Sequence, residues 1–253
     1  MPEEEVELAN DSKDNGAKVV EARKRVGKLA MVASSIGAHI IAPLILGLMY
    51  SVLMASNGGV PPMEWGSFLL HPLLMTLAYG FLAPLGSVGY VSYERLLGLS
   101  HSKAKLVHTT IQGAAVVIGG LGIRTMWIKH DALQAAGILG GSGQPPTHYQ
   151  TGHSFVGAAV YAVFVLQWIG GLFIYLLPAM VPPVLKKGLL PLHILLGCIA
   201  VFGSLASINT GILSWRGVDG RSLDPKDLML KSVSLLTFLL AVLLALALAA
   251  PRS

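Results

Sequence analysis

The sequence predicts an all-α integral membrane protein, a bundle of six transmembrane helices whose central four helices carry the functional side chains. Charge is scarce: 12% of the 253 residues are charged, against about 25% in soluble domains, and the mean hydropathy is +0.66. Charge is also unevenly distributed. Asp, Glu, Lys and Arg are absent from six stretches, each of which can supply the roughly 20 apolar residues that cross a bilayer.

These stretches predict the order of the elements along the chain. The first 28 residues are rich in charge and are expected to form a disordered cytosolic tail, followed by one six-helix domain over 29–251. The fourth charge-free stretch exceeds one span, but its first half, 137–150, is rich in Gly, Pro and Ser and is predicted to be a loop. The predicted spans are 29–55, 66–92, 104–127, 152–177, 189–214 and 229–250.

Basic residues beside the spans predict the orientation of the helices. Lys and Arg are enriched in cytoplasmic loops. One side of the membrane receives nine of them, namely Arg23, Lys24, Arg25, Lys28, Arg95, Lys103, Lys105, Lys186 and Lys187. The other side receives five, namely Arg124, Lys129, Arg216, Arg221 and Lys226. Both termini are therefore predicted to lie in the cytosol, and the basic charge serves topology rather than nucleic-acid binding.

Four histidines lie inside the predicted spans, each about one helical turn beyond the end at which its span begins. They are His71, His108, His153 and His193, on four consecutive spans and separated by 37, 45 and 40 residues. Ionisable residues inside a membrane are rare and usually functional. One such histidine is more often a packing residue than a ligand, but four at matched depths indicate ligands.

The alternating direction of the helices sorts these histidines into two layers. His71 and His153 begin spans that enter from outside, whereas His108 and His193 begin spans that enter from the cytosol. Paired histidines can bind zinc, copper or haem iron. Zinc normally needs four ligands, and no Cys, Asp or Glu lies at either layer to complete a set.

Two imidazoles on facing helices suit the two axial positions of a haem, a flat macrocycle whose apolar faces belong in a bundle interior. Small residues near the ligands would leave room for it: Gly157, Gly197, Gly119, Gly120 and Gly122. We therefore predict two haems b, an outer one on His71 and His153 and an inner one on His108 and His193. Filled axial positions favour electron transfer over oxygen activation.

The chain resembles the cytochrome b-561 family of transmembrane ascorbate-dependent reductases over roughly residues 30–240. The resemblance lies in HPLLM from His71, K-x-x-H ending at His108, GHS around His153 and LPLH-x-x-x-G around His193. Gln112, together with GAH at His39, is similar to the short branch of that family. The resemblance implies cytosolic ascorbate as electron donor and monodehydroascorbate or ferric iron as acceptor on the opposite side.

The resemblance also implies further site residues. Lys105 and Lys186 match basic positions of the cytosolic ascorbate site, where His101 stands at a third such position and Lys103 follows it. A lysine cluster there would attract the ascorbate monoanion. The segment beside the outer haem matches His148, Tyr149, Gln150 and Thr151. From the residues alone, we expect Arg95 to contact haem propionates, and Arg124 and His130 to face the outer acceptor.

The predicted function is thus a transmembrane ascorbate-dependent oxidoreductase, a ferric or monodehydroascorbate reductase. The expected partners are ascorbate, the acceptor, the lipid bilayer and a second copy of the chain in a homodimer, with no nucleic acid. A histidine-based proton channel or transporter without haem is the alternative, although the six charge-poor stretches contain no carboxylate that would assist a proton relay. A membrane scaffold is a third possible function, but a scaffold would not require paired histidines.

Overall fold

The computed structural model describes residues 3–61, 63–139, 147–177, 181–215 and 223–249. This part of the chain is helical without strands, and it contains six helices long and apolar enough to cross a membrane. The prediction of an all-α membrane bundle is therefore confirmed. Arg216, Arg221 and part of the predicted loop, 140–146, lie outside the described residues.

Four of the described spans are single α-helices, the second is interrupted by a π-helical turn, and the fourth ends in one. The elements are α1 (Glu3–Ser56), α2 (Leu70–Met75), a π-helical turn (Thr76–Leu82), α3 (Ala83–Leu96), α4 (His101–Ala135), α5 (Gly152–Gly171) continued by a π-helical turn (Leu172–Leu176), α6 (Pro183–Ser214) and α7 (Pro225–Ala249). Because α2, the π-helical turn and α3 follow one another without a break, they form the second span. Wider π-helical turns inside α-helices often occur at functional sites.

The helices run up and down, so the bundle has two ends. We call the end where α4 and α6 begin the near end, and the end where α2, α5 and α7 begin the far end. The second span packs against α1 on one side and α4 on the other, α5 packs on α6, and α7 packs along α1. Ile45, Met49 and Leu53 of α1 are almost fully buried among these helices. The four histidines that form pairs lie on the second span, α4, α5 and α6.

Several boundaries differ from the sequence predictions, and two of them differ most. The segment predicted to be a disordered tail is helical from Glu3, because residues rich in Ala, Glu, Lys and Arg favour helix and continue directly into the first span. Helix α4 extends to Ala135, eight residues beyond the predicted end of the third span. Polar residues such as Lys129 and Asp131 mark the end of an apolar span, but they do not end a helix.

Candidate functional site: two histidine pairs

The far pair consists of His71 of α2 and His153 of α5, two ligands that the sequence assigned to one layer. Their ring centroids are 6.2 Å apart and the ring planes cross at 84°. His153 is placed by the start of α5, where Thr151 caps the helix by accepting a hydrogen bond from the backbone N–H of Ser154. The structure therefore brings together the two imidazoles that helix direction had paired.

Each far imidazole donates its Nδ1 proton to a backbone carbonyl of a neighbouring helix. His71 Nδ1 lies 2.9 Å from the carbonyl oxygen of Gly122 in α4. His153 Nδ1 lies 3.1 Å from that of Ser207 in α6 and 3.3 Å from the hydroxyl of Thr210. A carbonyl can only accept, so Nδ1 carries the proton and Nε2 keeps its lone pair. This is the usual arrangement of a metal-binding histidine.

The near pair consists of His108 of α4 and His193 of α6. His108 Nδ1 donates to the carbonyl oxygen of Gly86 in α3 at 2.8 Å, the same arrangement as at the far end. The imidazole of His193 lies near that of His108. Near and far histidines thus form two separate layers, as the alternating helix direction predicted.

His193 is held differently from the other three histidines. The amide nitrogen of Gln167 in α5 donates to the backbone carbonyl of His193 and also lies 2.8 Å from its Nδ1. The ring of Tyr175 lies against the imidazole, with centroids 4.9 Å apart. To bind iron through Nε2 in the manner of His108, His193 would have to carry its proton on Nδ1, and the Gln167 amide would have to turn to accept it.

The far pair fits a haem iron between its two imidazoles. With iron–nitrogen bonds of about 2.0 Å and each Nε2 about 1.1 Å from its ring centre, the centroids would lie about 6.2 Å apart, in agreement with the observed 6.2 Å. Within the described residues, no group of three or more His, Cys, Asp or Glu is placed to hold a metal ion. A pair of imidazoles with free Nε2 atoms suits a cofactor that brings its own equatorial ligands.

Two glycines that sequence reasoning missed lie directly against the ligand rings. A Cβ atom on Gly211 of α6 would lie 3.0 Å from Cε1 of His153, and one on Gly171 of α5 would lie 3.0 Å from Cε1 of His193. The predicted Gly157 and Gly197 face Ser207 and Gln167 instead. Neither Gly211 nor Gly171 is one helical turn from its histidine in the sequence, so only the packing of α5 on α6 reveals them.

The midplane between the two pairs is aromatic. Tyr79 lies in the first π-helical turn, is 6% exposed, and packs against Phe164 with ring centroids 5.3 Å apart. Its hydroxyl has no hydrogen-bond partner among the described residues. The glycines that were predicted to thin α4 lie against this layer. A Cβ on Gly119 would clash with the Tyr79 hydroxyl, and one on Gly120 would lie 2.6 Å from the Tyr161 hydroxyl.

The predicted donor residues meet at the near end, around Tyr175. Lys105 Nζ donates to the backbone carbonyl oxygen of Tyr175 at 3.3 Å. The Tyr175 hydroxyl donates to the backbone carbonyl oxygen of Lys186 at 3.2 Å. Lys103 is exposed two residues before Lys105. Arg95, which we expected at the propionates, places Nη1 3.4 Å from the sulfur of Met31 in α1. Tyr175 carries no charge and matches no motif, so the sequence did not single it out.

The segment predicted to lie beside the outer haem belongs to a polar and aromatic cluster at the far end. His148 stacks on Trp127 at 3.8 Å between ring centroids, and its Nε2 lies 3.1 Å from a carboxylate oxygen of Asp131. The ring centroids of His130 and His148 are 5.5 Å apart, and His130 also lies near His71. Tyr149 packs on Trp127, while Gln150 and Thr151 are exposed beside the start of α5.

His39, the remaining intramembrane histidine, ties α1 to α3. Its Nδ1 donates to the carbonyl oxygen of Ser35 at 2.7 Å, and its Nε2 lies 3.0 Å from the hydroxyl of Tyr93. The carbonyl fixes the proton on Nδ1, so Nε2 accepts from Tyr93. With both nitrogens engaged, His39 connects α1 to α3 through its side chain.

Comparison with known proteins connects this arrangement to one family. The family model described as eukaryotic cytochrome b561 matches residues 70–216, which contain all four paired histidines. "Ascorbate-specific transmembrane electron transporter 2" of Zea mays is 30% identical over 146 residues, which cover 58% of this chain and 56% of that protein. The chain therefore matches just over half the length of this relative.

Other relatives have similar names. "Transmembrane ascorbate ferrireductase 1" of Arabidopsis thaliana is 27% identical over 74% of this chain and 72% of its own length. A lysosomal membrane ascorbate-dependent ferrireductase of Danio rerio is 26% identical over 65% of this chain and 59% of its own length. Because the family model covers more than half of the chain and both histidine pairs, the protein is a member of the eukaryotic cytochrome b561 family.

Proposed function

We propose that the protein is a transmembrane ascorbate-dependent oxidoreductase that binds one haem b at each histidine pair. The observation that carries the proposal is the pairing itself: two sets of imidazoles at opposite ends of one bundle, three of the four with Nδ1 bound to a backbone carbonyl. The names of the relatives support ascorbate as the donor. When bound, the two haems would supply one-electron redox centres within the bilayer.

The near end is the proposed cytosolic donor site. Ascorbate is a monoanion at neutral pH, and the ammonium groups of Lys103, Lys105 and Lys186 would attract it. Tyr175 joins Lys105 and Lys186 by hydrogen bonds and touches His193, so an anion held by these lysines would lie beside a haem ligand. The residues orient the donor; ascorbate then loses one electron and one proton and leaves as monodehydroascorbate.

The far end is the proposed acceptor site. His130, His148 and Asp131 offer nitrogen and oxygen atoms suited to a ferric chelate, and the Trp127 ring holds His148 in place. His130 lies near His71, so an acceptor held there would be close to the far haem. The acceptor gains one electron, which reduces Fe(III) to Fe(II) or converts monodehydroascorbate to ascorbate with uptake of a proton.

The proposed direction of transfer is outward from the cytosol. With both termini cytosolic, the near end lies at the cytosolic face. When the cytosol is negative, moving an electron from there to the far end lowers its free energy by about 2.3 kcal/mol per 100 mV of membrane potential. The hydrogen bonds argue against a proton channel. His71, His108 and His153 each donate Nδ1–H to a carbonyl of a neighbouring helix, and His39 donates to a carbonyl of its own helix, so these protons are held by the backbone rather than passed along a chain of histidines.

An optical spectrum of the purified protein tests the proposal. We expect a sharp α-band after reduction and two non-covalent haems b per chain by pyridine haemochrome analysis, because four ligands are available in two pairs and the sequence contains no C-x-x-C-H attachment motif. Ascorbate should reduce a large part of this haem. A colourless protein, or one that ascorbate leaves fully oxidised, would exclude the function.

A further inference from the structure

Helix α4 holds α3 through two side chains that lie one helical turn apart on the same face. His108 donates to the carbonyl oxygen of Gly86 at 2.8 Å. Gln112 donates to the carbonyl oxygen of Ala83 at 3.2 Å and to the hydroxyl of Ser87 at 2.9 Å. The Gln112 amide thus binds Ala83 and Ser87, which lie before and after Gly86, and the Gly86 carbonyl accepts from the proposed haem ligand His108.

The Gln112 side chain is deeply buried and only half satisfied. It is 7% exposed, and its Oε1 has no partner among the described residues. Burying an amide in apolar surroundings is unfavourable unless its hydrogen bonds are made. A leucine of similar volume would fill the space without that penalty, so packing alone does not account for a glutamine here.

Gly86, whose carbonyl accepts from His108, lies in close contact with the Gln112 side chain. A Cβ atom on Gly86 would lie 2.9 Å from the Cγ2 atom of Ile111 and 3.1 Å from Nε2 of Gln112. The backbone that accepts from His108 therefore rests directly on the Gln112 side chain. A shift of this amide would move the Gly86 carbonyl relative to His108.

We propose that Gln112 is a positioning residue that sets the strength of the hydrogen bond between His108 and Gly86, and through it the redox potential of the near haem. This inference rests on the proposed function, since it requires a haem on His108. A stronger hydrogen bond from Nδ1 makes the imidazole a better electron donor, which stabilises ferric iron and lowers the potential. Loss of the Gln112 contacts weakens that bond and raises the potential.

The far pair provides a matched control. His153 has its own supporting side chain, because the Thr210 hydroxyl lies 3.3 Å from its Nδ1 and donates to the carbonyl oxygen of Ser207 at 3.0 Å. Thr210→Val removes this support with little change of volume. It should move the potential of the far haem and leave that of the near haem unchanged, the opposite of a Gln112 variant.

The experiment is a spectroelectrochemical titration of the haem-loaded full chain and its Gln112→Leu, Ser87→Ala and Thr210→Val variants. The near haem is identified as the component that remains in His153→Ala. We expect Gln112→Leu to raise the near-haem potential alone, and Ser87→Ala to raise it less because the Ala83 contact remains. Electron paramagnetic resonance should show a changed low-spin signal for the same haem only.

The outcomes separate this inference from the proposed function. A wild-type chain without haem would exclude the proposed function. If haem binds normally but Gln112→Leu leaves both potentials unchanged, or moves both equally, Gln112 does not position His108. Should Gln112→Leu fail to fold, Ser87→Ala decides: an unchanged near-haem potential in that variant overturns the inference, and a selective rise supports it.

Discussion

The glycines that face the ligand rings allow the two sites to be perturbed separately. In Gly211→Ala the new methyl group lies 3.0 Å from Cε1 of His153, and in Gly171→Ala it lies 3.0 Å from Cε1 of His193. Gly170, beside Gly171 in the same helix, has no atom within 4 Å of the Cβ position. We expect Gly211→Ala to weaken binding of the far haem only and Gly171→Ala that of the near haem only, with Gly170→Ala as control.

The size of the effect follows from these distances. Carbon atoms attract best at about 3.5–4.0 Å, so each ring must move by about 0.5 Å or more. A side chain forced off its preferred rotamer costs about 0.5–1.5 kcal/mol. If the haem-bound state bears that cost, haem affinity falls by about 2- to 12-fold. Gly170→Ala introduces no clash and should leave haem binding unchanged.

The assay is a haem titration of detergent-solubilised apoprotein, followed in reduced-minus-oxidised spectra. The two components are assigned by comparison with His153→Ala, which retains the near haem, and His193→Ala, which retains the far haem. Equal losses in Gly170→Ala and Gly171→Ala would refute the steric argument. Loss of the same spectral component in Gly211→Ala and Gly171→Ala would refute the assignment of the histidines to two pairs.

Three further predictions follow from the same geometry. Replacing either ligand of a pair with alanine should remove one haem and spare the other, so the spectra of the variants should fall into two classes, His71→Ala with His153→Ala and His108→Ala with His193→Ala. Lys105→Ala should slow haem reduction by ascorbate about 5- to 150-fold, because a charged contact of about 1–3 kcal/mol is lost, but dithionite should still reduce the haem completely. If stopped-flow measurements showed Lys129→Ala to be the slow variant instead, the proposed donor site would be wrong. Gly119→Ala, whose methyl group would clash with the Tyr79 hydroxyl, should destabilise the fold by about 1–3 kcal/mol. Its Tm should therefore be lower than that of Gly188→Ala, whose methyl group meets nothing within 4 Å.

Sequence reasoning identified the helices and both histidine pairs because each depends on a pattern along the chain. Apolar length marks a span, and alternating direction then assigns His71 and His153 to one end. It did not identify Gly122 or Ser207 as partners of the ligands, because a carbonyl group is present in every residue. Which carbonyl meets an imidazole depends on helix rotation, and that is set by packing.

Residues with no charge and no motif were missed for a related reason. Tyr175 lies in the π-helical turn that continues α5, where it connects the predicted donor lysines to His193. The helical tail before Lys28 was missed because a charged composition is compatible with disorder or helix, and continuity with a stable span favours helix. In both cases the sequence contains the necessary residues, but a neighbouring element determines their structure.

The separation of the two histidine layers accounts for the use of two haems rather than one in the proposed electron path. His71 and Gly86, which binds His108, are fifteen residues apart along the second span, or roughly 22 Å at the rise of an α-helix. The hydrocarbon core is about 30 Å thick, so each layer lies a few ångströms inside one face. Electron tunnelling falls steeply with distance, and one haem at either layer could exchange electrons with one face only. Two haems bound at these layers would shorten the remaining gap, in which the rings of Tyr79 and Phe164 pack against each other.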